Sequence, residues 1–86
     1  MQFLAIGQLT PGADIAPHFA AEQQRVAELR AEGVVEQFFL KADRSGSVFI
    51  LSGDSQAAVQ ERIDTFPFVQ HGLIRFDLIE LAAPEG

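Results

Sequence analysis

Four large apolar residues in a row, Val48-Phe49-Ile50-Leu51, stand between Asp43-Arg44-Ser45-Gly46 and Ser52-Gly53-Asp54. A short run of β-branched and aromatic side chains between turn-formers reads as a β-strand rather than buried helix. The run does not alternate apolar with polar positions, so both of its faces must be covered. In a chain of 86 residues helices can cover one face of a sheet. The other face then needs a second subunit.

The length sets a single domain over residues 1–86. A chain near this size buries only ~60–68% of the surface its unfolded form exposes, yet 48% of its residues are apolar. That excess points to self-association, as a homodimer or larger homo-oligomer. No apolar run approaches the ~20 residues of a membrane helix. The start, Met1-Gln2-Phe3-Leu4-Ala5-Ile6, lacks the basic region and cleavage pattern of a secretory signal, so the expected location is cytoplasmic. A net charge of −6 with six Lys and Arg argues against nucleic acid and anionic membranes as partners. The absence of cysteine excludes disulfides, thiolate catalysis and Cys-ligated metals.

In chain order, Gln2 to Leu9 reads as a first strand with apolar residues on both faces. Thr10-Pro11-Gly12-Ala13 turns the chain. Asp14 is an N-cap for a helix over about Ile15–Glu32 that stops at Gly33, with Pro17 tolerated in the first turn. Its apolar stripe is Ile15, Phe19, Val26 and Leu29, and Glu22 falls in the middle of that arc. Val34 to Ala42 is a second strand, turned by residues 43–46 into the opening strand as an antiparallel hairpin. Asp54 or Ser55 caps a second helix carrying Val59, Ile63 and Phe66 on one face, ended by Pro67. Phe68 to Gly72 is expected to be a connector, and Leu73 to Leu81 a last strand. With right-handed crossovers the order βαββαβ gives an α+β, ferredoxin-like fold. Its sheet would be four-stranded and antiparallel, in order 4-1-3-2.

The sequence resembles the muconolactone isomerase family of the dimeric α+β barrel superfamily. The carrying residues are Leu29-x-x-x-Gly33, Ser47-Val48-Phe49, Ser55 and Phe66-Pro67-Phe68, with Glu22 at the place of an acidic residue in helix one. The resemblance implies that two such sheets form a dimeric α+β barrel acting on a small molecule. There are departures. The family's Trp, Arg, His and Tyr along the second strand and hairpin are replaced by the mostly apolar Val34-Val35-Glu36-Gln37-Phe38-Phe39-Leu40. His71 stands where an aromatic Tyr is frequent, and Arg75 where an acid is usual. The scaffold carries over; the substrate does not follow from it.

Each candidate site residue has two readings. Glu22, in an apolar stripe, loses hydration, which raises its pKa and suits it to general acid or base work. His18 lies one turn earlier, within reach of an i,i+4 hydrogen bond. Alternatively, Glu22 pairs with Arg25 or His18 and is structural. His71 is a catalytic candidate by the resemblance and otherwise a solvated loop residue. Arg75 and Asp77 alternate onto the face away from the helices, where they bind an anionic substrate or form an intersubunit ion pair. The two histidines and scattered acids lack metal-site spacing, and no phosphate loop or nucleophile motif occurs, so neither metal nor cofactor is expected. The leading function is an isomerase-like proton shift on a small lactone or carboxylated compound. Its rivals are a non-catalytic ligand-binding or assembly subunit and, less favoured without Trp or Tyr, a cofactor-free oxygenase.

Overall fold

The computed structural model describes residues 1–85, and in it the apolar run 48–51 lies inside strand β3 (Gly46–Ser52). Around it are β1 (Gln2–Leu9), β2 (Val35–Leu40) and β4 (Ile74–Leu81). Helices α1 (Phe19–Ala31), α2 (Gln56–Ile63) and the four-residue α3 (Pro67–Gln70) complete the order. The antiparallel sheet runs β2-β3-β1-β4, the ferredoxin-like arrangement expected, with the two strands that are apolar on both faces in the centre.

Register decides which side chains meet. Phe38, Phe49, Ala5 and Leu78 form one row across the sheet on the helix side. The next row, Phe39, Val48, Ile6 and Asp77, points the other way. On the helix side Phe3, Phe49, Leu51, Leu29, Val59, Ile63 and Phe66 are almost wholly buried. Phe49 is the hub, its ring centroid 4.7 Å from Phe38, 5.2 Å from Phe66 and 5.6 Å from Phe76. Phe66 is therefore a core residue, as the spacing with Val59 and Ile63 predicts.

Local chemistry sets the element boundaries. Pro17 lies in a first helical turn, where its missing N–H would have no intrahelical partner, but an α-helix does not start there. The chain makes a 3-10 turn over Ala16–His18 instead, with the His18 N–H donating to Ile15 O at 3.0 Å. The α-helix begins at Phe19 rather than Ile15, and Asp14 serves the turn by accepting from the Ala16 N–H at 3.3 Å. Gly33 closes α1 with φ +81, the left-handed conformation a C′ glycine supplies. Ser55 is the cap of α2, its hydroxyl accepting from the Ala58 N–H at 3.1 Å. That helix ends at Ile63, short of Phe66.

Pro67 bars any continuation of α2, but it also opens α3, so the expected connector over Phe68–Gly72 is largely helical. A proline at the first helical position is pre-organised for a turn, and extended dihedrals at the preceding Phe66 satisfy its steric demand. Gly46 is the first residue of β3 rather than part of a turn. A Cβ there would lie 1.8 Å from the Gly7 carbonyl oxygen, so the approach of β3 to β1 demands glycine. Among the described residues no helix is long and apolar enough to cross a membrane.

Candidate active site

Helix α1 does not lie flush on the sheet. Its stripe residues Phe19, Glu22 and Val26 line a cavity of about 520 Å³ between the helix and the β2–β3 side of the sheet. Phe38, Leu40 and Phe49 form the sheet wall, and Phe68, Ile15 and Ile74 close the end near the start of α1. This explains why Phe19, expected in the buried stripe, is 49% exposed: it borders open space instead of packing on a strand. The volume lies within the ~300–1,000 Å³ of small-molecule sites, and the lining is predominantly apolar with a few polar groups.

Glu22 is the buried charge of this site, 8% exposed. Its Oε1 accepts the Phe68 N–H at 2.9 Å, a donor supplied by the first turn of α3. No fully buried side-chain nitrogen or oxygen among the described residues lacks a partner, so Oε2, which accepts no hydrogen bond, is not sealed in dry protein, and Glu22 lines the cavity. Loss of hydration pushes the Glu22 carboxyl above its ordinary value, and the Phe68 hydrogen bond offsets part of that rise. Arg25 does not pair with it: its guanidinium donates to Glu28 at 3.0 Å and to Thr65 at 2.9 Å.

Nor does His18 hydrogen-bond to Glu22. His18 belongs to the 3-10 turn and caps α1 with non-helical dihedrals, so the four-residue helical spacing does not hold across the junction. Its ring stacks instead on His71, centroids 3.9 Å apart and planes 27° from parallel. The two histidines the sequence singled out are thus together, beside the cavity and not among its wall residues. His71 comes one turn after Phe68, as Glu22 comes one turn after His18. The histidine stack and the Glu22–Phe68 hydrogen bond are therefore two ties between the same pair of elements, α1 and α3.

Arg75 and Asp77 lie in β4 opposite Gln8 and Ile6, on the open face of the sheet, with the sheet between them and Glu22. Three further residues come from positions that sequence reasoning passed over. Ser47 is buried in the row facing the helices and lines the cavity, and its hydroxyl has no protein partner among the described residues. Arg30 and Arg44 reach the cavity rim from α1 and from the β2–β3 loop. Ser47 was legible in principle, because a lone polar residue in an apolar strand marks an inward exception. Arg30 carried a weaker signal: at ~100° per residue it falls about 20° from Phe19, at the edge of the apolar stripe, where a long basic side chain usually reaches solvent. Among the described residues no cluster of three or more His, Asp or Glu could hold a metal ion.

Fold and site together define a small ferredoxin-like α+β unit with a mostly apolar cavity holding one buried carboxylate. Among solved structures it is similar to 5-chloro-2-hydroxyhydroquinone dehydrochlorinase (TftG) from Burkholderia phenoliruptrix AC1100, in complex with 2,5-dihydroxybenzoquinone. The TM-score is 0.81 over 99% of this chain and 97% of that one, at 22% sequence identity. At that identity the likeness speaks for the fold. No family model and no curated protein sequence matches the chain.

Proposed function

We infer that the chain is an isomerase-like small-molecule protein in which Glu22 moves a proton on a small oxygenated ring compound held between α1 and the sheet. The observation that carries this reading is the Glu22 carboxylate, buried at an apolar cavity wall with one oxygen anchored by the Phe68 N–H and the other without a protein partner among the described residues. A desolvated carboxyl with a raised pKa is a stronger proton acceptor than an ordinary glutamate and can return the proton it takes. In a proton shift, Oε2 would take a proton from a carbon next to a carbonyl. The electrons of that C–H bond would pass to the carbonyl oxygen as an enolate, and the proton would return to another carbon. Ser47, in the same cavity, offers a hydroxyl donor for the oxygen that gains charge. The quinone-type ligand of the TftG structure supports a small planar oxygenated ring as the ligand class, beside the lactone or carboxylated compound expected from the sequence.

His18 and His71 then act as positioning residues: their stack holds α3 against α1 and so keeps the Phe68 N–H on Glu22. Arg75 and Asp77, on the open face, fit the intersubunit reading better than substrate binding. That face would meet a second copy of the chain, giving a homodimer or a larger assembly.

The test uses deuterium oxide. Small cyclic ketones, lactones and 2,5-dihydroxybenzoquinone are incubated with the protein, and exchange at carbons next to carbonyls is followed by NMR. The wild type should catalyse exchange on at least one compound. Glu22→Gln should keep binding and lose on the order of 10²-fold or more of the rate. Binding without exchange in the wild type would make the chain a ligand carrier, and absence of binding would leave an assembly subunit.

A further inference from the structure

We propose that the cavity selects an anionic ligand, and that Arg30 and Arg44 at its rim are the residues that read the negative charge. This rests on the cavity being a ligand site and adds the charge of what it takes. The protein carries −6 overall, with twelve acidic residues against six basic ones, so a cation has carboxylates in abundance to pair with. Arg25 and Arg62 do so, with Glu28 and Glu32 at 3.0 and 2.9 Å, and Lys41 donates to Gln8 at 2.8 Å. Arg30, Arg44 and Arg75 form no ion pair or side-chain hydrogen bond among the described residues; Arg75 lies across the sheet on the open face, whereas Arg30 and Arg44 line the cavity. Two arginines against the single carboxylate of Glu22 make the cavity locally positive in an acidic molecule.

The two arginines come from different elements. Arg30 lies two helical turns beyond Glu22 on α1, roughly 12 Å along the axis, so a charge held there is kept apart from the carboxylate. Arg44 sits in the β2–β3 loop with φ 63, a left-handed backbone that favours glycine or asparagine over a long side chain. Its N–H donates to Lys41 O at 2.9 Å, and the Asp43 carboxylate accepts the Ser45 N–H at 2.9 Å, so the strained residue is held rather than frayed. A strained, fixed residue bearing an unpaired guanidinium at a cavity rim is a pattern of ligand clamps. The ligand class that fits is a small apolar ring carrying a carboxylate, phenolate or enolate. Its apolar body would lie against Phe38 and Phe49, with its charge toward the rim.

Benzoate and benzamide, nearly the same shape and differing in charge, separate this from its alternatives. Binding to the full chain is followed by NMR shifts of cavity backbone amides at low and high salt. Benzoate should bind roughly threefold to tenfold tighter than benzamide, with the gap narrowing as salt rises. Arg30→Gln and Arg44→Gln should each weaken benzoate and leave benzamide unchanged, and together remove the preference. Arg44→Gly is the control for folding: it relieves the left-handed strain, so it should melt no lower than the wild type and still lose selectivity. Equal affinity for the two probes, or a preference that survives the double variant, overturns the charge inference while the cavity reading stands. Absence of cavity shifts with either probe overturns both.

Discussion

At the scale of single residues the protein is governed by one buried acid. Glu22 occupies a stripe position where an apolar side chain would serve packing better, and its burial raises its pKa. A carboxyl whose folded-state pKa exceeds its unfolded value binds its proton more tightly in the folded protein. Its stabilising contribution is fully present below the unfolded pKa and is lost as pH rises through the folded one. Glu22→Gln keeps an acceptor for the Phe68 N–H and removes the ionisation. The variant should therefore gain stability relative to the wild type as pH rises from the ordinary glutamate value of about 4.3 through the higher folded one, measured by urea unfolding at a series of pH values. Parallel stability curves for the two proteins would show that burying this carboxylate carries no penalty. Asp43 has the opposite sign: the Ser45 hydroxyl and N–H hold its carboxyl below the ordinary value. Whatever it adds to the β2–β3 loop is present above the unfolded pKa and fades as pH falls through the folded one.

At the scale of elements the close contact of β3 with β1 is the demanding feature. Gly46 pairs with Gln8, and an added Cβ would collide with the Gly7 carbonyl, which is itself tied into the sheet. Neither backbone can yield without giving up ladder hydrogen bonds. Gly46→Ala should destabilise by about 3 kcal/mol or more, read by chemical denaturation, and a variant melting with the wild type would show the strands free to part. The aromatic hub lies on the same strand. Phe49 contacts rings from β2, β4 and the start of α3, so displacing β3 at Gly46 also disturbs the sheet wall of the cavity.

At the scale of the whole molecule the sheet is two-faced and only one face is covered by helices. The open face carries Leu4, Ile6, Val48, Ile50, Phe39 and Ile79, the last two 54% and 47% exposed. An apolar patch of this kind marks an association surface, and obligate interfaces commonly bury more than ~2,000 Å² in total. The chain should sediment as a dimer or larger at micromolar concentration. Ile6→Lys places a charge at the centre of the patch, beside Asp77, which can pair with it in a lone subunit. That variant should sediment as a folded monomer. A wild type that is itself a folded monomer would sink the proposal.

The features readable from the chain alone are those that local physics dictates. The double-sided apolar runs of β1 and β3 required central strands, the Pro67 dihedrals required a break, and Gly33 required a helix end. Together these specified the βαββαβ order and the 4-1-3-2 sheet. Glu22 stood out because a carboxylate breaking an apolar stripe is visible at one residue per 100° of helix. Contacts between segments distant in sequence were decided only by the tertiary fold. Phe68, 46 residues from Glu22, supplies its hydrogen bond; His71 stacks on His18 across a similar gap. Arg30 and Arg44 reach one cavity from two elements. Periodicity tells which face of an element is apolar. Whether that face packs tightly or stands off to leave room for a ligand depends on how helix and sheet fit together, and no single segment carries that information.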